Sequence, residues 1–143
     1  NALSFMEIAR KREVGVIERG DPYFVIRKPG SSDIAGRLKW CVESGPFEYL
    51  EVESLMVEKS EREKGFSSQL LDEFELMCRE RNMPGVAEDD IDSGDEGGNE
   101  LSLGMYARRQ GWIEIPDHQS NTGFRGYICN LQPGQSPDDF WVY

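Results

Sequence analysis

Positive charge is scarce in this chain: 16 lysines and arginines stand against 27 aspartates and glutamates in 143 residues, a formal net charge of −11. Phosphate backbones are gripped by clustered Lys and Arg, so nucleic acid is not expected as a partner. The same balance suits a cationic partner such as an amine, a polyamine or a basic peptide, and it equally serves solubility. Histidine is nearly missing, with His118 alone, and Cys41, Cys78 and Cys129 form no CxxC pair. A Cys/His zinc site is therefore not expected, nor is a disulfide framework, and a reducing cytoplasm is the expected compartment. No apolar run approaches the roughly 20 residues that span a bilayer and no signal-peptide pattern opens the chain, so no membrane partner is expected. Asp89, Asp90, Asp92, Asp95 and Glu96 lack the EF-hand spacing, and no metal is expected there; they read as a solvated loop or as an attractant for a cationic acceptor. Repeats and linkers are absent as well, and the length suits one domain, 1–143.

What the chain does have is pattern. Val14 and Val16, then 23–26 (YFVI), 35–43 (AGRLKWCVE) and 49–57 (YLEVESLMV) read as strands, separated at Gly20-Asp21-Pro22, Pro29-Gly30 and Gly45-Pro46. In 49–57 one parity carries Leu50, Val52, Ser54 and Met56 and the other Glu51, Glu53, Leu55 and Val57, as in a meander strand with one wet face. The period then changes. From Phe66 onward Leu70, Leu71, Phe74, Met77 and Cys78 share one helical face, and Asn82, Pro84 and Gly85 stop the helix. A strand near 86–91, a short helix from Asn99 to Arg109, and strands at 112–116 and 126–131 complete the order. Leu3 to Ile8 fit a helix or a strand equally. The order is that expected of an α+β or mixed-sheet domain.

The segment VEKSEREKGFSSQLL joins strand 49–57 to the helix. A helix entrance leaves backbone N–H groups without intrahelical partners and carries about half a positive charge, which makes it an anion site. Gly65 removes the Cβ that would hold a phosphate away and can take positive φ. Ser67 and Ser68 add hydroxyl donors, and Arg62 and Lys64 add charge. Neither a Walker loop nor a GxGxxG spacing is present. On its own the stretch reads as a phosphate cradle or as a plain strand-to-helix turn, the latter being commoner.

Arg62, Gly65 and Ser67 fit the pattern [QR]xxGx[GA], and the segment resembles the acetyl-CoA signature of the GNAT superfamily of N-acetyltransferases. Ser67 stands where Gly or Ala is usual, and Glu63 where glycine is common. Farther on, Asn99 and Tyr106 have the seven-residue separation the family often shows. Gly111-Trp112 supply its Gly-aromatic pair, with one extra residue before it. The resemblance covers about residues 49–131.

That resemblance implies an α+β GNAT fold, a mixed, mostly antiparallel sheet flanked by helices whose fourth and fifth strands splay apart, and acetyl-CoA as the donor cosubstrate. The pantetheine arm is expected along strand 49–57, against the backbone of Met56 and Val57. Arg62, Glu63, Lys64, Gly65, Phe66, Ser67 and Ser68 are expected around the pyrophosphate, with Asn99 hydrogen-bonded to the arm. An amine acceptor would attack the thioester directly in a ternary complex. Glu51, with Glu53 as second choice, is implied as the base that frees the amine's lone pair, and Tyr106 as the acid that protonates the leaving thiolate. The plainer alternatives are two solvated glutamates on a wet strand face and an aromatic packed at a helix end. Only 48 residues precede Tyr49, fewer than most members place there, which points to an open acceptor site suited to a protein or peptide amine. Rival readings are a non-catalytic acyl-CoA-binding module and an acidic protein-interaction module on the same fold. A homodimer is common in the family, and the C-terminal FWVY reads as a contact or a last strand. His118 is expected to be an idle loop residue, Cys129 a buried strand thiol, and Trp40, Trp112 and Trp141 core or rim.

Overall fold

The computed structural model of the chain describes residues 13–90, 105–116 and 124–140. Alternating residues form seven strands: β1 Val16–Glu18, β2 Tyr23–Arg27, β3 Ile34–Ser44, β4 Glu48–Val57, β5 Gly85–Asp90, β6 Trp112–Glu114 and β7 Phe124–Cys129. Among the described residues two helices accompany them, α1 Phe66–Arg81 and α2 Met105–Arg108. The strands make one sheet in the order β1-β2-β3-β4-β5-β7-β6. Pairs β1–β2, β2–β3, β5–β7 and β6–β7 are antiparallel, and β4–β5 is parallel. A parallel pair cannot be closed by a tight turn, and α1 supplies the crossover between β4 and β5. The result is the expected mixed, mostly antiparallel α+β sheet. Among the described residues the parallel ladder holds two partner pairs, Leu50↔Gly85 and Glu51↔Val86, while β4 runs on to Val57 and β5 to Asp90.

The chain divides into two compact units, and β3, β4 and α1 each pass from one into the other. The first unit takes in the chain up to Lys39 together with Ser54–Glu73. Phe24, Ile26, Leu38, Phe66, Leu70 and Leu71 are buried in it. Gln69 fastens the segment ahead of β1 to α1: its Oε1 accepts from Gly15 N–H at 2.8 Å, and its Nε2 donates to the carbonyls of Glu13 at 2.6 Å and Gly65 at 3.1 Å.

The second unit, Trp40–Glu53 and Phe74 onward, has a core on each face of the sheet. On one face β5 presses against α1. A Cβ on Gly85 would lie 2.7 Å from Phe74 Cε2 and 2.8 Å from Cys78 Sγ, so only glycine fits. Leu50 and Cys129, the ladder partners of Gly85, face the helix with it. On the other face Tyr49, Val86, Ile115, Ile128 and Phe140 form a smaller core. Phe140 reaches it from a 3-10 turn at Pro137–Asp139, closed by a reciprocal capping box between Ser136 and Asp139. The chain end therefore supplies core; Trp141 to Tyr143 lie outside the described residues. Helix α1 ends with Asn82 in the left-handed region, φ 54, where Asn is tolerated in place of Gly.

Candidate functional site

Past Val57 the backbone leaves the strand through a 3-10 turn at Lys59–Glu61, an element too short for periodicity to announce. Arg62 is extended, Glu63 is left-handed at φ 67, and Gly65 is left-handed at φ 87. The Gly65 carbonyl accepts from Gln69 N–H at 3.1 Å, which sets Gly65 at the helix entrance and Phe66, Ser67 and Ser68 in the first turn. Arg62 Nε donates to the Val57 carbonyl at 3.3 Å and holds the loop on the strand end. The glycine common at the place of Glu63 thus has a conformational reason: the backbone there adopts the geometry glycine prefers.

The charges of this loop are less available than the sequence suggested. Lys64 Nζ lies 2.8 Å from Glu61 Oε2 and 3.8 Å from Glu13 Oε1, and Lys28 Nζ lies 3.3 Å from Glu61 Oε1. The hydrogen bond between Lys64 and Glu61 lowers the glutamate's pKa and raises the lysine's. What the loop offers an anion is chiefly backbone: the first-turn N–H groups of α1, which lack intrahelical acceptors, beside a glycine without a Cβ. A polar cavity of about 380 Å³ lies beside the turn, lined by Lys28, Ser31, Asp33, Glu58, Ser60 and Glu61 among others; residues 62–68 do not line it.

Glu51 and Tyr106 both lie in the second unit, on opposite faces of the sheet. Glu51 shares parity with Tyr49 and pairs with Val86, on the face away from α1. It is half-buried there, and burial first, then the Glu43 and Glu88 carboxylates, raises its pKa, while a hydrogen bond from Cys41 works the other way. Cys41 Sγ lies 3.7 Å from Glu51 Oε2 and 3.5 Å from Glu43 Oε1. Burial and the hydrogen bonds to Glu53 and Glu43 push its thiol far above the usual range. Tyr49 is pushed up to about 12, by burial and then by Glu51 and Glu43. Glu53 is exposed on the same parity as Glu51. Of these groups Cys41, Glu43 and Glu88 were not singled out from sequence. The alternation of β3 sets Cys41 and Glu43 on one parity, but which strand lies beside them it does not say.

Tyr106 lies on α2 with 4% of its surface exposed. Its ring centroid is 4.9 Å from Trp112 and 6.1 Å from Tyr127, and Trp112 in turn stacks on Phe74 of α1 at 6.4 Å. Glu75 of α1 anchors this corner, accepting from Trp112 Nε1 at 2.9 Å and pairing with Arg109. Trp112 is core, and Trp40, also buried, carries the Arg81 guanidinium 4.9 Å above its ring. Met56 is 63% exposed at the end of β4. Asn99, His118 and the acids from Asp92 to Glu96 lie outside the described residues.

No protein-family model and no curated protein sequence matches the chain. Solved structures do. Ard1 from Thermoplasma volcanium aligns over 92% of this chain and 81% of its own, with a TM-score of 0.52 at 19% identity. The NatC complex bound to Gag peptide and CoA aligns over 77% and 71%, with a TM-score of 0.58 at 16% identity. The NatB acetyltransferase complex bound to a bisubstrate inhibitor aligns over 98% and 81%, with a TM-score of 0.57 at 11% identity. At these identities the likeness is one of fold, and the chain has the GNAT fold of N-acetyltransferases.

Proposed function

We propose that the chain is an N-acetyltransferase that transfers an acetyl group from acetyl-CoA to an amine by direct attack in a ternary complex. The observation that carries this reading is the β4–loop–α1 segment within a GNAT fold, where Glu63 and Gly65 take positive φ and deliver the backbone to a helix entrance. NatC, one of the structures it resembles, was solved with CoA bound. Bound acetyl-CoA supplies the activated acyl thioester. The loop from Arg62 to Ser68 holds the pyrophosphate by backbone donation, the strand end at Met56 and Val57 holds the pantetheine arm, and Asn99 assists it. Glu51 takes the proton from the incoming amine. Its raised proton affinity suits that task, because a base nearer neutrality accepts protons more effectively in the transition state. Glu53 is the second choice, being exposed. Tyr106 gives a proton to the leaving thiolate from the opposite face. For the acceptor we propose a protein or peptide amine, supported by the peptide bound in the NatC structure.

A second reading, a non-catalytic acyl-CoA-binding module, is favoured by one observation: Tyr106 is packed among Trp112 and Tyr127. Two measurements decide. Acetyl-CoA at 100 times its Kd should stabilise the fold by about 2.7 kcal/mol, read as a rise in Tm; no shift at millimolar acetyl-CoA removes both readings. With binding established, thiol release against a panel of peptides, polyamines and antibiotics should fall several-fold or more in Tyr106→Phe and Glu51→Gln. No thiol release with any acceptor would leave the module, and release undiminished in both variants would remove Tyr106 and Glu51 from the chemistry.

A further inference from the structure

Cys41 is the one thiol beside the proposed base, and no part of the proposed chemistry uses it. Its surroundings make it a poor nucleophile. Burial and the carboxylates of Glu53, Glu43 and Glu51 oppose ionisation, and only the thiolate attacks. What remains is a neutral donor, its S–H held by the burial and carboxylates that oppose ionisation. That donor sits among three carboxylates: its sulfur is 3.5 Å from Glu43 Oε1 and 3.7 Å from Glu51 Oε2, and Glu53 also accepts from it.

The need for such a donor follows from the charges around Glu51. Glu53 shares its strand, Glu43 comes from β3, Glu88 from β5, and the Tyr49 hydroxyl also lies in this group. These neighbours are all acidic, and burial adds to the cost of ionising Glu51. A carboxylate in that company turns away from its neighbours unless something holds it. Resting on the reading of Glu51 as the base, we infer that Cys41 is its positioning residue: its S–H, set among Glu43, Glu51 and Glu53, fixes the Glu51 carboxylate on the sheet face where the amine would be deprotonated. Without that donor the carboxylate loses a hydrogen bond made to its charged form, so its proton affinity rises further.

The test uses the full chain with Cys41→Ala and Cys41→Ser, the latter restoring a hydroxyl donor. The Glu51 carboxyl is titrated by carbon NMR on glutamate-labelled protein without substrate, its signal assigned by loss in Glu51→Gln, and the pH profile of kcat/KM is measured alongside. In Cys41→Ala the Glu51 midpoint should move up and the acid-side fall in kcat/KM should begin at higher pH. The KM for acetyl-CoA should not change. Cys41→Ser should bring both back toward the starting protein. A midpoint unmoved in Cys41→Ala, or moved but not restored by Ser, overturns the inference. A midpoint that shifts and is restored while the rate profile follows neither variant removes Glu51 as the base, and the positioning role with it. The acetyl-CoA thermal shift then still stands for the fold's function. If no amine is acetylated at all, the proposed function fails while the titration still decides whether Cys41 orients Glu51.

Discussion

Glu63 holds a conformation its side chain resists. At φ 67 a residue with a Cβ is strained by about 1–2 kcal/mol relative to right-handed backbone, partly offset by the greater unfolded-state entropy of the glycine that would relieve it. Glu63→Gly should therefore stabilise the fold by up to about 1 kcal/mol, read as a higher urea midpoint at unchanged m. It should also tighten acetyl-CoA binding by calorimetry, because a carboxylate leaves the proposed pyrophosphate loop. A lower midpoint would mean that the side chain of Glu63 contributes more than its backbone costs. At this scale the loop was legible because Arg62, Gly65 and Ser67 lie within one short stretch and their spacing carries the geometry. The state of Lys64 was not. Its partners are Glu61 nearby and Glu13, 51 residues earlier, and pairing across that distance is a product of folding. The Cys41–Glu51 contact was hidden for the same reason.

Among the elements, the period-two runs of β3 and β4 and the 3.6-residue run of α1 announced themselves, since each buries one face over several successive periods. The short 3-10 turns at Lys59–Glu61 and Pro137–Asp139 did not, having no period to read. With the second turn went the role of Phe140, which sequence left between a contact and a last strand. It is 1% exposed, its ring 5.7 Å edge-on to Tyr49. Phe140→Ala should cost about 3–5 kcal/mol, as burial of an aromatic followed by a cavity implies, measured by chemical denaturation. Because Tyr49 shares a strand face with Glu51, the variant should also lower kcat. A loss under about 1 kcal/mol would show that the smaller core closes without the chain end.

For the molecule as a whole, the net charge of −11 acts in opposite directions on the two proposed substrates. Salt at physiological strength shortens the Debye length to about 8 Å. Screening should weaken binding of a cationic acceptor, raising its KM, and strengthen binding of the polyanionic donor, lowering its KM, since Lys64 is already paired within the loop. Parallel salt titrations of the two constants check this; movement in the same direction would show that local contacts outweigh the overall field.

Glu51 and Tyr106 answer to different faces of one sheet, and that separation shapes how such a protein can change. Residues facing the amine belong to the β3–β4 hairpin and β5, while those supporting the proposed acid belong to α1, α2 and the Trp112–Tyr127 stack. Substitutions that recruit a new acceptor can therefore accumulate on one face without repacking the aromatics on the other. On the proposed roles, acceptor choice and thiol departure would then depend on residues of opposite sheet faces.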